Sequence, residues 1–515
     1  MSKINIGDLL KKPLWRRRIS RQQSVLETKG SALNPRAYEP MMFDNGRERL
    51  MTQSDFLDEL EPCSHLVYNV NYKANRPKMK YNRETKENEF CGYDDVARVA
   101  VALQESLRRN KAVCTFGNDV WFGNEGTEDQ TDELIRYKSH WNISGMRNAL
   151  LQFARSAYGT GDGAVYLYRE KNEIKYKVFS FENGDVIAEN IDQRTGEKVF
   201  IRMYMIDDSK IVEIYNKTNI EVWTNNYSGG MIKTIWKTIN GEMSEDGYIL
   251  LQKHEHNTGE CPIAYHREKD VCWGSGQKAI ERIEDIKSDL AENNKYYAFQ
   301  ILYLTGGTIK LPDSMWQGKA LGGKTKDSDA KILEPANCSD SFKLDLETSL
   351  RFFYETTSTT VVTPEQLKGG DYSGAYIRNL YFRDVQWTAE ASARLDPFMK
   401  KVISIFKSLV GQIENDTIGY NNLKISYKIV PFLPQNELEE TTILAMGVNS
   451  GFLSIETAQE ENPRSNPEEM NRIISEMKAK EERDLKSENV GGLDNVNIEP
   501  EDPLKVDNQA KGKSK

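Results

Sequence analysis

Histidine, cysteine and long apolar runs are what this chain of 515 residues has least of. The five histidines, His65, His140, His254, His256 and His266, leave few bases for nucleophilic catalysis, and no Gly-x-Ser-x-Gly elbow accompanies them. Carboxylates are plentiful, but runs such as Glu281, Asp285 and Asp289 have Lys or Arg within a helical turn, the usual pattern of a solvated helix face. No enzymatic constellation emerges, so a non-enzyme without a cofactor is expected. The six cysteines, Cys63, Cys91, Cys114, Cys261, Cys272 and Cys338, are scattered and form no C-x-x-C pair, which excludes a disulfide scaffold and suits synthesis in a reducing cytoplasm. No 18-residue apolar run is present, so no transmembrane helix is expected. The charged start lacks the apolar core of a secretory signal. Positive charge is also short: 69 Lys and Arg against 78 Asp and Glu leave a net charge of −9. That balance argues against a protein that grips nucleic acid by neutralising phosphates, while leaving local basic patches open. Hydrophobic residues make up 38%. Large compact domains bury a larger share of their surface, so the thin apolar content favours an elongated, surface-rich subunit or one with sizeable unstructured tails.

Along the chain, residues 1–49 read as an arm. Its basic stretch from Lys11 to Arg18 is either a solvated tail or a contact to nucleic acid or an acidic partner. From residue 50 to about 158, apolar residues at three- and four-residue steps predict helices around Phe56 to Leu60, Val96 to Leu107 and Met146 to Tyr158. Short alternating segments follow: Ala164 to Tyr168, Lys175 to Val178, Val199 to Ile206, Ile211 to Tyr215, Glu221 to Trp223, Ile232 to Trp236 and Tyr248 to Leu251. With Asn183-Gly184 and Asn240-Gly241 as hairpin turn signals, they predict an antiparallel meander, and hence an α+β first half. Beyond Trp273 an amphipathic helix is predicted over 276–301, with Ile280, Ile283, Ile286, Leu290, Tyr297 and Ile301 on one side. A Gly-rich excursion follows, with short strands at 308–311 and 330–333. A second helix, about 344–358, carries Leu346, Leu350 and Phe353. After a breaker loop comes a very long helical pattern, 374–413, about 60 Å at 1.5 Å per residue, with Pro397 expected to kink it. A strand at 423–430 and helices near 436–447 and 467–483 precede a polar tail expected to be disordered.

Three motifs are weighed against plainer readings. Gly318 to Thr325 matches G-x-x-x-x-G-K-[ST] letter for letter. A phosphate loop needs a buried strand before it and a helix after it. Here Pro312 and polar residues precede, and a short strand follows, so a flexible basic hairpin loop fits better. Gly159, Gly161 and Gly163 follow a helix and precede a strand, the reverse of a dinucleotide turn, and read as a helix C-cap. His254, His256, Cys261 and His266 form the one grouping with metal-ligand character, against the plainer reading of a sheet-edge histidine pair.

Two helices flanking a small strand-bearing excursion, then a Gly-Pro loop and one long helix, with α+β before and helices after, form an order that resembles the portal proteins of tailed bacteriophages. The strings that carry it are Gly259 to Tyr265, Gly274 to Asn294, Leu346 to Thr360, Thr363 to Ala375, Phe432 to Glu437, Gly451 to Thr457 and Pro467 to Glu476. Together they span about 140–480 and come nearest to the subgroup with wing, stem, clip and crown. The resemblance implies an elongated α+β portal-type subunit with this plan: a basic arm (1–49), a wing (50–272 and 374–434), stem helices (273–304 and 344–360), a clip (305–343), a tunnel loop (361–373), a crown (435–484) and a disordered tail (485–515). It further implies a ring, usually of about twelve subunits, at one capsid vertex, assembled in the host cytoplasm and resident in the virion. Implied partners are the terminase, head-completion and connector proteins, major capsid and scaffold proteins, and double-stranded DNA in weak sequence-independent contact, with no membrane. The tunnel loop would offer Glu365, Gln366, Lys368, Gly369 and Gly370 to the DNA. The clip would offer Trp316, Lys319, Lys324 and Lys326 to the terminase and connectors. Ile280, Ile283, Leu290, Tyr297, Leu350 and Phe353 would pack the stem. The competing readings are a nucleotide-binding enzyme built on 318–325 and a head or tail scaffold protein that forms no ring.

Overall fold

A computed structural model describes residues 4–13, 15, 17–19 and 49–81, then 84–125 except 86, and 131–297 except 193, 194, 229 and 238. It further describes 301–305, 329–333, 339–360, 379–433, 437–461 and scattered positions from 472 to 479. In chain order the elements named below are α1 (Ile6–Leu9), β1 (Arg18–Ile19), β2 (Arg49–Leu50), α2 (Gln53–Leu60), β3 (Arg76–Tyr81), β4 (Asn88–Asp94), α3 (Leu103–Phe116), β5 (Trp121–Asn124), α4 (Thr131–Ile143) and α5 (Met146–Thr160). There follow β6 (Asp162–Glu170), β7 (Glu173–Phe179), β8 (Val186–Ile191), β9 (Lys198–Ile206), β10 (Ser209–Tyr215), β11 (Asn219–Thr224), α6 (Gly230–Ile235), β12 (Ile249–Glu255) and β13 (Ile263–Arg267). Last come α7 (Gln277–Tyr297), β14 (Ile301–Thr305), β15 (Asp329–Leu333), α8 (Ser339–Thr356), α9 (Phe382–Ile413), α10 (Thr417–Asn422), β16 (Ile425–Lys428), α11 (Glu437–Asn449) and α12 (Ile455–Glu461). The fold is α+β, with every described strand pairing antiparallel.

The chain forms two compact units. One comprises Met1–Gly370 and Arg378–Leu433, the other Asp371–Ile377 and Pro434–Lys515. In the second, α11 and α12 make a short helical pair turned at Gly451, whose φ is +72°.

The expected meander is a five-stranded sheet in the order β12-β11-β10-β9-β8. Period-2 alternation splits its side chains between two faces. Val199, Ile201, Val212, Ile214, Trp223 and Leu250 meet Ile4, Ile6 and Leu9 of the N-terminal segment. On the other face, Ile187, Phe200, Tyr215 and Ile220 pack on Ala164, Phe179 and Ile263 of the second sheet, β13-β6-β7. Between the sheets the Arg202 guanidinium lies 4.2 Å from the Phe179 ring centroid and 4.3 Å from that of Tyr204, and pairs with Asp185 (2.8 Å) and Glu213 (3.1 Å). Asn183 and Gly184 therefore do not close a hairpin: Gly184, at φ +83°, ends a short 3₁₀ turn that carries the chain from β7 in one sheet to β8 in the other. Residues 232–236 are not a strand either. Ile232 is fully buried against Ile211, Val222 and Leu251, and α6 presents it from one helical turn laid on the sheet.

The largest core surrounds α5. Its apolar residues at 146, 149, 150, 153, 154, 157 and 158 face α2, α3, α9 and β6. Phe153 stacks on Phe398 of α9 with ring centroids 3.8 Å apart. Gly161 ends the helix at φ +85°, confirming the C-cap reading, and a Cβ there would come within 2.8 Å of the Trp15 ring. Trp15 shows that the expected free arm is built into the fold over its described residues. Lys12 donates to the fully buried Asp162 (2.6 Å) and Gln53 (3.0 Å), Arg17 pairs with Glu59, and β1 pairs with β2. Burial lowers the Lys12 pKa, and the Asp162 carboxylate only partly offsets it.

Candidate functional site: a seated helical hairpin and a clamped loop base

The predicted helix pair is present as α7 and α8, which pack along each other and bracket the antiparallel ribbon β14–β15. A strand is present at 301–305, where the run Ile301, Leu302, Tyr303, Leu304 pairs with Leu333 to Ala330, while the expected strand at 308–311 lies outside the described residues. Ile280, Ile283 and Phe353 are buried in the main core, Leu350 packs half-buried against it, and Leu290 is half-buried. Tyr297 closes α7. At the root the two helices touch with no room to spare: a Cβ on Gly276 would meet Phe353 at 2.7 Å and Thr357 at 2.8 Å. There the Ser275 hydroxyl donates to the Thr356 carbonyl (2.9 Å), and farther along Arg282 pairs with Asp345 (2.6 Å).

On α7, Glu281 keeps the expected pairing with Lys278 one turn away (2.8 Å) and Asp289 stays exposed, but Glu284, Ser288 and Glu292 form a gripping surface beside them. Residues 96–102, read as the start of a helix, instead run extended beside α7. Backbone N–H groups of Ala97, Val99 and Val101 donate to Glu292 (2.8 Å), Ser288 (2.9 Å) and Glu284 (3.0 Å). Every second residue of the strap thus meets every fourth residue of the helix. Tyr72 donates to Asp285 (2.7 Å), Lys73 pairs with Asp289 (2.8 Å) and Arg76 with Glu292 (3.4 Å), extending the grip into the β3–β4 hairpin. Burial and then the Asp285 carboxylate push the Tyr72 phenol up to about 12. Under the strap, His65 is buried with Nδ1 2.5 Å from Glu284 Oε1 and Nε2 2.8 Å from the Glu59 carbonyl.

Beyond α8 the chain turns through Ser358, at φ +50°, to Thr360. Asp384, in the first turn of α9, accepts the Thr360 N–H (3.0 Å) and pairs with Lys111 (3.1 Å), while Lys111 also donates to the Ser358 carbonyl (2.5 Å). Lys111 is fully buried, 4.9 Å from the Trp387 ring centroid. Burial lowers its pKa, with Asp384 opposing. One buried ion pair therefore ties together the two ends of segment 361–378. Glu365, Gln366, Lys368, Gly369 and Gly370 within it lie outside the described residues, as do Trp316, Lys319, Lys324, Lys326 and the whole stretch 318–325.

The described long helix, α9, runs Phe382–Ile413, about 48 Å at 1.5 Å per residue, and residues 374–378 of the expected helix lie outside the described residues. It continues through Pro397, which stands exposed, leaving the Ala393 carbonyl without its helical donor. On the buried side Lys401 and Ser404 hold Glu260 (2.5 and 2.6 Å), Ser408 donates to the Thr258 carbonyl (2.9 Å) and Gln412 to that of Asn257 (2.6 Å). That loop also disperses the candidate metal ligands. His256 bonds Thr258 (2.7 Å) and the Asn216 carbonyl (2.9 Å), Cys261 faces the Tyr215 carbonyl (3.7 Å) and His266 pairs with Glu268 (3.2 Å). Among the described residues no group of three or more His, Cys, Asp or Glu could hold a metal ion. No described helix is long and apolar enough to cross a membrane.

The strap, the His65 node and the Lys111–Asp384 clamp carried no sequence motif. The one available signal was the alternation of Val99 and Val101, which the helical reading overrode.

Comparison with known families matches residues 68–484 to the phage portal protein family described as SPP1 Gp6-like. No curated protein matches the chain. Among solved structures, a chain from the neck of an empty GTA particle, computed with C6 symmetry, is similar at 13% identity and a TM-score of 0.34, over 69% of this chain and 87% of that one.

Proposed function

Since the chain belongs to the SPP1 Gp6-like phage portal protein family, we propose that its copies close into a ring at one capsid vertex, through which double-stranded DNA is packaged and later ejected. The family is structural rather than enzymatic. The observation that carries the reading is the α7–α8 hairpin, rooted in the main core and bearing a strand ribbon, followed by segment 361–378, from whose far side Asp384 reaches back to the Thr360 N–H. Such a hairpin serves as a stem, the stretch 305–343 between its helices as a clip for the terminase and connector proteins, and 361–373 as a loop reaching toward DNA. The plan of wing, stem, clip, tunnel loop and crown set out from the sequence goes with it, as do capsid and scaffold contacts and assembly in the host cytoplasm.

Charge supports the reading. About twelve copies at −9 each sum to about −108, a field that repels DNA and is screened within about 8 Å at physiological salt. A conduit with that field does not trap its cargo. Lys368, and Lys319, Lys324 and Lys326 in the clip, are local exceptions, and Lys368 is assigned transient phosphate contacts. Replacing it with alanine should change the packaging rate and its salt dependence, and an unchanged rate removes that role. The decisive experiment is negative-stain microscopy of the purified chain. Rings with a central hole are expected; isolated particles of about 59 kDa would overturn the proposal in favour of a scaffold protein that forms no ring.

A further inference from the structure

The node beneath the strap has a chemical requirement that its geometry makes explicit. A neutral imidazole offers one N–H and one lone pair. His65 faces an acceptor at each nitrogen: the Glu59 carbonyl at Nε2 and the Glu284 carboxylate at Nδ1. The carbonyl can only accept, so Nε2 carries a hydrogen. At 2.5 Å, Nδ1 and Glu284 Oε1 also need a proton between them, or two lone pairs would meet in a site sealed from water. Glu284 Oε1 is meanwhile the acceptor for the Val101 N–H, the first rung of the strap ladder.

We propose that His65 is a positioning residue that locks the strap 96–102 onto helix α7, and does so only while the His65–Glu284 pair holds this second proton. Loss of the proton sets a lone pair against a carboxylate. Glu284 relieves the repulsion by turning away, and Val101 loses its acceptor. The role deepens the stem reading of α7 and rests on it for its functional meaning.

The charged groups around the ring are few. Glu284 comes from α7, and the Glu59 carboxylate from α2 is held by Arg17 of the N-terminal segment and by the Trp273 indole N–H (3.0 Å). The strap contributes only the Val101 N–H to Glu284. Burial opposes the proton on His65, but the hydrogen bond and charge of Glu284 outweigh it, so the pKa is raised above the ordinary histidine value. A raised folded-state pKa gives a lock that is complete below about pH 6.5 and is lost as pH climbs through the folded value.

The test is hydrogen exchange by mass spectrometry on the full chain between pH 6 and 9.5, following residues 96–102 and α7, with intrinsic exchange rates divided out. In the wild type, protection of 96–102 should fall by up to tenfold per pH unit from about pH 6.5 up to the folded pKa and level off above it. Glu284→Gln supplies the decisive contrast. Nδ1 and the Val101 N–H meet the same carboxylate oxygen, so the amide oxygen placed there still accepts from Val101 but carries no charge to hold the second proton; the fall in protection should move to lower pH, leaving a low, flat profile above about pH 7. A variant that merely loosened packing would lower protection at all pH values. A flat wild-type profile, or a Glu284→Gln profile that keeps the wild-type slope, overturns the proposal. The outcome is independent of ring formation: rings with a flat profile remove the lock alone, and a sloping profile without rings removes the portal reading alone.

Discussion

At the scale of single residues, the molecule places a few charges where water cannot reach them and matches each with charged and polar partners. Lys111 and Asp384 are the extreme case, both buried and both tied to the backbone at 358–360. Breaking such a pair strands the surviving charge and costs about 3–5 kcal/mol. Asp384→Asn should therefore destabilise the chain by about that amount in urea denaturation. Lys111→Met combined with Asp384→Leu should recover much of the loss, since no buried charge is left unpaired. Apolar contacts have comparable weight. Phe398→Ala would remove the ring stacked on Phe153 and should cost about 3–5 kcal/mol in the same assay. Thiol chemistry follows burial: Cys272 is pushed up to about 12 and Cys114 to about 11. Brief alkylation at pH 8, read by mass spectrometry, should label the exposed Cys63 and Cys91 well before either.

At the scale of elements, helices and strands that bury one continuous stripe were legible. Helix α5, the meander β8 to β12 and the hairpin α7–α8 all follow from apolar period alone. The failures share a cause, which is that the partner of a segment is not written in the segment. Residues 96–102 carry valines at spacings compatible with either period, and side chains from α7 decided for the extended form. Residues 230–235 hold one obligatory apolar contact, Ile232, which a single helical turn satisfies. The hairpin β3–β4 passed unnoticed because its sequence, with Arg76, Pro77, Lys78 and Lys80, has no apolar alternation. The Lys111–Asp384 clamp joins positions 273 apart, beyond any local pattern. Close helix approach gives a further test. Gly276→Ala would place a methyl within 2.7 Å of Phe353, and overpacking of this kind costs about 1–3 kcal/mol, visible as a lower unfolding midpoint.

At the scale of the whole molecule, the thin apolar fraction and the acidic balance read differently once the family is known. An exposed apolar set that includes Leu344 and Phe352 on α8 and Ile443, Met446 and Phe452 in the second unit is surface that an assembly of copies can cover. The five described cysteines are unpaired, so ring formation should be indifferent to reductant. Size-exclusion elution with and without dithiothreitol checks this, and a shift on reduction would contradict it.

The strap on α7 has one more property, that of a vernier. Two residues of extended chain advance about 6.6 Å, whereas four residues of helix advance about 6.0 Å, so the two scales slip by about 0.6 Å at each rung. Hydrogen bonds tolerate a spread of only about 0.5 Å in length, so three rungs are near the limit that a straight chain can follow. The ladder stops at three. A one-residue insertion between Ala97 and Val101 would bring the marks out of coincidence on one side of the insertion, whereas lengthening the chain before Asp95 would leave them aligned. The arithmetic therefore forbids a change of length inside the strap, between its first rung and its last.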